Sequence, residues 1–174
     1  MDVEFINPFL TSILNVLKTM AQLDATAGTP TLKKSEVACG DVTGLIGMAG
    51  EKTKGTLAIT FSASTILEIT KRMIGEEQDK VNDTVTDMAG EITNMVTGGA
   101  KKLLSEKGYR FDMAIPSVVA GKDHVVVHKS KSPVIMVPFK TGVPFSAFLG
   151  KTVTSLVPNT FGVKAGINKS VLPP

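Results

Sequence analysis

Apolar residues recur at helical spacing in three parts of the chain, and each recurrence predicts an amphipathic helix. The first helix is predicted to begin with Asn7 as its N-cap and Pro8 at its first helical position. It should continue to about Leu23. The apolar residues that define its buried side are Phe9, Leu10, Ile13, Leu14, Leu17 and Met20.

Two further helices are bounded by residues that favour helix ends. The second helix is predicted to begin after Ser62 or Ser64 and to end at Gly75. The third and longest is predicted over Asp83–Glu106, with Asn82 or its first residue as the cap. Its acidic residues lie early and its lysines late, which is the order that the helix dipole favours.

The remaining apolar segments are short and rich in Val, Ile, Thr and Gly, which predicts strands. Two or three antiparallel strands are predicted between Leu32 and Phe61. Four more are predicted after the third helix, at Ala114–Ala120, His124–Lys129, Pro133–Phe139 and Phe145–Thr154. The pattern therefore predicts an α/β (α+β) fold with long helices packed on a largely antiparallel sheet.

No linker divides the chain, so residues 1–154 are predicted to form a single domain. Residues 155–174 contain three prolines, no acidic residue and only scattered apolar residues. They are predicted to be a C-terminal extension of unknown role.

Composition narrows the possible functions by what it lacks. The 174 residues include one Cys and two His, which excludes an internal disulfide framework and leaves little for a metal site. Aromatic residues make up 5%, too few to favour a base-stacking surface for nucleic acid. The net charge of +3 fits a solvated surface, and no segment targets or spans a membrane. The composition therefore predicts a cytoplasmic globular domain, with no nucleic-acid or membrane partner, that is poor in the usual catalytic side chains.

One face of the third helix carries a narrow polar stripe. At about 100° per residue, Asp87, Glu91, Asn94 and Gly98 fall on one side of this helix. Glu91 and Asn94 are three residues apart and therefore neighbours on the helix surface. The residues predicted to face the sheet from the opposite side are Val85, Met88, Ile92, Met95, Gly99 and Leu103.

Three glycines inside this helix also require an explanation, because each costs about 1 kcal/mol relative to Ala. Gly99, on the predicted buried side, would allow close approach of a packed element. Gly90 and Gly98, with Thr97, lie beside the stripe and would leave the Glu91/Asn94 pair clear of bulky neighbours. A partner's backbone could then approach the pair.

On spacing alone, ordinary solvated helix residues are the favoured interpretation of the stripe, as for most exposed polar residues. The Glu-x-x-Asn string also occurs a second time, as Glu4-Phe5-Ile6-Asn7. Because Asn7 is predicted to cap the first helix, Glu4 should lie outside that helix, and the two side chains need not share a face. This second copy is interpreted as a coincidental match.

The residues around the stripe resemble the CheC/CheX/FliY family of chemotaxis phosphatases, and within it the CheX type. The family signature is Asp or Ser, three residues, Glu, two residues, Asn, and a Pro about two dozen positions later. Here it reads Asp87-x3-Glu91-x2-Asn94, followed by Pro116. Gly44–Phe61 and Asn7–Met20 also resemble the CheX strand pair and first helix, and the likeness extends over roughly residues 5–154.

The resemblance implies hydrolysis of the aspartyl phosphate of a CheY-like response regulator. Glu91 would anchor the regulator by pairing with its active-site Lys, and Asn94 would orient the attacking water. Asp87, Gly90, Gly98 and Pro116 are given supporting roles. Members of the CheC type carry a second Glu/Asn pair on the first helix. The predicted first helix offers Asn15 but no Glu, which fits the one-site CheX pattern.

The resemblance also implies no cofactor bound by this chain, with the Mg²⁺ held by the partner regulator, and a homodimer joined through sheet edges. The edge strand at that interface is expected from the C-terminal half.

Two other functions remain open. One is a non-catalytic module that binds a response regulator or acts in the flagellar switch. The other is a metal enzyme using His124 and His128, which is disfavoured because residues four apart on a strand stand roughly 13 Å apart.

Overall fold

The structure, a computed structural model, describes residues 3–32, 38, 40–50, 54–126, 134–141 and 151–159. Three helices are present in these ranges: α1 (Val3–Met20), α2 (Ala63–Ile74) and α3 (Asp83–Ser105). None of the helices found there is long and apolar enough to cross a membrane. The strands are β1 (Ala25–Ala27), β2 (Thr31–Leu32), β3 (Val42–Ala49), β4 (Lys54–Phe61), β5 (Asp112–Met113), β6 (Ser117–Ala120), β7 (Ile135–Thr141) and β8 (Lys151–Asn159).

All the strands belong to one sheet in which every pairing is antiparallel. The order across the sheet is β1-β7-β8-β4-β3-β5, with β2 also pairing with β7 and β6 also pairing with β3. The helices contact one another, and α3 lies against β3 and β4. The predicted fold class, long helices on an antiparallel sheet, is confirmed.

The predicted ends of α2 and α3 are also confirmed, because local side-chain chemistry determines them. The Ser62 hydroxyl accepts a hydrogen bond from the Thr65 amide, and Gly75 ends α2 in the left-handed region at φ 78°. Asn82 caps α3 by accepting a hydrogen bond from the Val85 amide at 3.1 Å. The long helix that carries the polar stripe therefore begins where the sequence indicates.

The predicted start of α1 is wrong, because the helix begins at Val3 and contains Pro8. Asn7 is therefore a helical residue and not the cap. Phe5 is 2% exposed, and its ring lies 5.6 Å from that of Phe9 and 5.4 Å from that of Tyr109. Burial of this aromatic ring draws the segment before the proline onto the core as a helical turn, which outweighs the hydrogen bond that the proline cannot donate.

The predicted boundary between domain and extension falls inside β8. This strand runs from Lys151 to Asn159 and pairs with β4 on one side and β7 on the other. Residues 155–159 are therefore part of the middle of the sheet. Of the predicted strand Phe145–Thr154, residues 151–154 are present in β8. Residues 145–150 lie outside the described residues, as do residues 160–174 of the predicted extension.

The segment predicted as one strand at Ala114–Ala120 is instead divided between β5 and β6. β5 pairs Met113 with Met48, whereas β6 resumes by pairing Ser117 with Leu45. Three residues, 114–116, thus face the two residues 46–47 of β3, which is a β-bulge. Pro116 lies in the bulge, where its missing N–H interrupts no ladder hydrogen bond.

Two later strand predictions have different outcomes. The strand predicted over Pro133–Phe139 is present as β7, displaced by two residues at each end. In the predicted strand His124–Lys129, the structure shows only an isolated bridge at Val125, and residues 127–129 lie outside the described residues.

The core lies between the helices and one face of the sheet. Alternate residues of β3, β4 and β7 point to this face, as the period of a strand requires. On the helix side, α1 contributes mainly Phe5, Phe9, Ile13 and Leu17. The sheet residues that are at most 6% exposed on this face are Val42, Ile46, Met48, Leu57, Ile59, Phe61, Ile135, Val137 and Phe139.

Two glycines allow α3 to approach its neighbours closely. A Cβ atom on Gly44 of β3 would collide with the Thr93 hydroxyl and would lie 2.9 Å from the Ala89 carbonyl oxygen. On another side of α3, a Cβ atom on Gly99 would collide with the Ser12 hydroxyl of α1. The interpretation of Gly99 as a close-approach residue is therefore confirmed, whereas the matching role of Gly44 was not predicted.

We expect Gly44→Ala to destabilise the protein, because the added methyl group must push α3 away from β3. The free energy of unfolding should fall by about 1–3 kcal/mol, as overpacking typically costs. Gly47→Ala on the same strand is the matched control, since among the described residues its added Cβ would meet Ala114 Cβ alone, at 3.8 Å. Equal unfolding midpoints for the two variants in urea would contradict this account of how α3 packs on β3.

Candidate functional site

The polar stripe on α3 points outward. Asp87, Glu91 and Asn94 are exposed, and Gly98 is half-buried on the same side. Because Glu91 and Asn94 are separated by one helical turn, their side chains project side by side from a helix whose other face is in the core. The predicted outward orientation of these residues is confirmed.

The Glu91/Asn94 pair has no partner within the described ranges of the chain. Neither the carboxylate of Glu91 nor the amide of Asn94 makes a side-chain hydrogen bond or ion pair there. Elsewhere on the surface, exposed acids do pair with lysines, as Glu77 does with Lys71 at 3.2 Å. The pair therefore presents one negative charge and one amide to whatever binds this face.

The buried face of α3 differs from the prediction by about one residue. Ala89, Val96, Ala100 and Leu104 are fully buried, whereas Met88, Met95, Gly99 and Leu103 are half-buried. The buried face differs from the prediction because it includes two threonines of α3, Thr93 and Thr97.

Thr93 and Thr97 are both 0% exposed, although Thr97 was predicted to lie beside the stripe. Their hydroxyls donate to the Ala89 and Thr93 carbonyls at 2.8 and 2.7 Å. This bonding satisfies a buried hydroxyl within the helix itself, so the two threonines can pack on the core side.

The two glycines beside the stripe have different surroundings. A Cβ atom on Gly90 would lie 3.2 Å from Val118 Cγ2, so β6 occupies that space. A Cβ atom on Gly98 would have no neighbour within 4 Å among the described residues. The space beside Gly90 is therefore filled by β6, and of the two glycines only Gly98 faces space that is free of described residues.

β5 and β6 both pair with β3, and they run alongside α3 in the opposite direction. Lys101 of α3 pairs with Asp112 of β5 at 3.6 Å, and one end of β6 reaches Gly90 through Val118. Between these two contacts, Asn94 lies about 6 Å beyond Gly90 at 1.5 Å per residue. Pro116 lies about 6.6 Å beyond Val118 at 3.3 Å per strand residue. Asn94 and Pro116, two residues of the signature that are 22 positions apart in sequence, therefore lie at about the same level along α3.

His124, one half of the alternative metal site, already has both ring nitrogens in hydrogen bonds. Nδ1 lies 2.8 Å from the Gly121 carbonyl oxygen, which can only accept, so this nitrogen carries the proton. Nε2 lies 2.6 Å from the Thr43 hydroxyl, which in turn lies 2.8 Å from the Thr60 hydroxyl. The residue holds its loop to the sheet. His128 lies outside the described residues.

The second Glu-x-x-Asn string also needs a correction. Since α1 begins at Val3, Glu4 and Asn7 lie in the same helix, and both are exposed. Helical spacing and exposure are thus common to both copies, and the first helix does contain a Glu three residues before an Asn. The expected one-site pattern therefore loses the support that it had from the sequence, and the distinction between the two pairs becomes an experimental question.

Comparison with known proteins defines the class to which this fold and site belong. The chain is 53% identical to a CheC-like superfamily protein from Shewanella sp. PV-4, with a TM-score of 0.82 over 91% of this chain and 99% of that one. A family model described as chemotaxis phosphatase CheX matches residues 42–140, which include all of α3 and Pro116. The chain belongs to the CheX family of chemotaxis phosphatases.

Two further relatives are informative. The CheY-P phosphatase CheX of Thermotoga maritima is 28% identical over 125 residues, which are 71% of this chain and 79% of that protein. The CheX–CheY–BeF3–Mg²⁺ complex from Borrelia burgdorferi contains a chain of the same fold, with a TM-score of 0.72 and 24% identity. The match covers 89% of this chain and 97% of that one.

The neighbouring glycines Gly98 and Gly99 provide a stability test of how α3 is oriented. Gly98→Ala should raise the free energy of unfolding by about 0.5–1 kcal/mol, because Ala is the better helix former and its methyl group meets open space. Gly99→Ala should lower it by about 1–2 kcal/mol, because the methyl group collides with Ser12.

Chemical denaturation of the two variants measures both effects, and changes of the same sign would contradict the orientation. In the double variant Ser12→Ala/Gly99→Ala the hydroxyl is gone, so part of the loss should be recovered.

Proposed function

We propose that this chain hydrolyses the aspartyl phosphate of a CheY-like response regulator, with Glu91 anchoring the regulator and Asn94 orienting the attacking water. The observation that carries the proposal is the pair itself: an exposed carboxylate and an exposed amide, one turn apart and without partners among the described residues. The function of the Thermotoga relative and the CheX–CheY complex support the same partner.

Glu91 suits an anchoring role because its charge is not neutralised within the described chain. A receiver-domain Lys that met it would form an ion pair from which water is partly removed, and such a pair is stronger than one in open solvent. Asp87, one turn earlier and also exposed, adds a second negative charge on the same side. It would attract the same cationic region without contacting the phosphate.

Asn94 suits a positioning role because an amide offers both a donor and an acceptor to one water molecule. Hydrolysis of an acyl phosphate requires a water in line with the bond that breaks, together with neutralisation of the phosphoryl charge. Holding that water in place supplies part of the barrier reduction as orientation. The phosphorylated carboxylate and the Mg²⁺ that neutralises the phosphoryl charge would belong to the regulator, so this chain would contribute the acid and the amide.

The supporting residues would act by shaping the surface around the pair. Gly98 leaves bare helix backbone beyond Asn94, and Gly90 allows Val118 of β6 to pack beside the helix. Pro116 maintains the bulge at the level of Asn94. Together these residues would give a regulator a path to the amide.

We also propose that two copies assemble through a sheet edge. Of the strands from the C-terminal half, β7 and β8 are interior, and β5–β6 lies at an edge of the described sheet. The other edge is formed by β1 and β2. A second copy could pair with either edge.

The first test replaces the water-positioning amide. We expect Asn94→Ala to reduce the rate of regulator dephosphorylation at saturating regulator by about 100-fold or more, because a correctly oriented water is lost. Phosphate loss from a phosphorylated receiver domain, followed in single-turnover experiments, measures the rate. Binding of the regulator should change little.

Asn7→Ala is the matched control, since Asn7 is also exposed and also lies three residues after a Glu within a helix. It should retain the wild-type rate. An equal loss in both variants would contradict the assignment to α3 alone, and full activity in Asn94→Ala would refute the role of this amide. Binding without faster phosphate loss in the wild type would favour the non-catalytic module.

The second test removes the charge of the anchor. Glu91→Gln keeps the shape of the side chain, so it should raise KM by about tenfold to a hundredfold through loss of a partly desolvated ion pair. Because salt screens charge attraction, raising the ionic strength should increase the wild-type KM more than that of the variant. Parallel salt dependences in steady-state assays would show that Glu91 makes no ion pair with the regulator.

A further inference from the structure

The bulge between β5 and β6 exposes one large apolar side chain beside the candidate site. Ile115 is 90% exposed, more than any other large hydrophobic residue that the structure describes, and Leu32 follows at 58%. An exposed isoleucine is common on protein surfaces when it stands alone. The position of this one is what requires an explanation.

The bulge sets the direction of the Ile115 side chain. An extra residue in one strand bends that strand locally and re-aims the side chains that it carries. The Ala114 amide still donates to the Gly47 carbonyl at 2.9 Å, so the ladder is interrupted only after that point. The residues without regular pairing are therefore Ile115 and Pro116, immediately before β6 resumes at Ser117.

Measured along α3, Pro116 lies level with Asn94. By the same measure, Ile115 lies level with the segment of α3 between Asn94 and Gly98. Three residues of strand span about 10 Å from Val118 at 3.3 Å per residue. The helix from Gly90 to Gly98 spans about 12 Å at 1.5 Å per residue. By these lengths Ile115 flanks the stretch of α3 where a Cβ atom on Gly98 would meet no described atom within 4 Å.

No residue within this stretch is charged. At one end of this stretch lies the ion pair of Lys101 and Asp112. At the other end lies Glu91, one helical turn before Asn94. Between those ends, the exposed or half-buried residues of α3 are Asn94, Met95, Gly98 and Gly99, and the bulge lies beside them. The surface therefore combines a single acid, an amide and an adjacent apolar side chain.

We propose that Ile115 is an apolar anchor for the receiver domain, contacting an uncharged surface beside the regulator's phosphorylation site while Asn94 reaches into it. This inference rests on the proposed function and adds a binding residue outside the helix. Continuity with the Glu91/Asn94 pair favours the regulator as the occupant, because a regulator seated on that pair must also cover the neighbouring bulge.

Ile115→Ala tests the anchor with little risk to folding, since a side chain that is 90% exposed contributes little to the core. Binding to a receiver domain activated with beryllofluoride and Mg²⁺ is measured by calorimetry, and hydrolysis is measured separately. We expect a rise of about tenfold in both Kd and KM with a nearly unchanged kcat, from the apolar area that is no longer buried. Ile115→Leu should restore most of the affinity.

Leu32→Ala is the matched control, because Leu32 is exposed on β2 at the opposite edge of the sheet. It should leave Kd unchanged. A wild-type Kd for Ile115→Ala, or an equal rise for Leu32→Ala, would overturn the inference while leaving the proposed hydrolysis intact. If the wild type binds the activated receiver but does not hydrolyse phosphate, the proposed function fails, and the Kd values still decide the role of Ile115.

Sedimentation equilibrium in the absence of regulator tests whether Ile115 contacts the regulator or a second copy of this chain. We expect the wild type and Ile115→Ala to show the same oligomeric state. A weaker self-association of Ile115→Ala would assign this residue to an interface between copies and would overturn the inference.

Discussion

The close packing of α3 on β3 is the constraint on which the rest of the structure depends. Gly44 leaves room for the Thr93 hydroxyl and the Ala89 carbonyl, and Gly99 allows α1 to approach from another side. With the helix held at two flanks, its rotation about its own axis is determined, because overpacking at either contact is costly. That rotation decides which residues of α3 reach solvent.

The packing of α3 determines where the candidate site lies. Glu91 and Asn94 project from the exposed side of α3, so a rigid element positions the two groups without side-chain partners among the described residues. Phosphoryl transfer requires positioning and charge more than covalent participation by the protein. A chain with one Cys and two His can therefore serve in such a reaction.

The two errors about element ends share a cause. Asn7 before Pro8 is a strong local signal for a helix start, yet burial of Phe5 extends α1 to Val3. Residues 155–159 contain a proline and were assigned to an extension, yet they form a central strand because β4 and β7 flank them. In both cases, contacts between segments distant in sequence outweighed local propensity, which the pattern along the chain does not record.

By itself, the sequence determined the ends of α2 and α3, the antiparallel character of the sheet and the outward direction of the Glu91/Asn94 pair, because caps and periodicity are local. Only the tertiary structure decided that Gly90 is covered by β6, that Gly98 is free of described neighbours, and that a bulge at Ile115 and Pro116 interrupts the edge of the sheet. These facts depend on strand register and on the distance between packed elements. Such distances arise from contacts between segments that are remote along the chain.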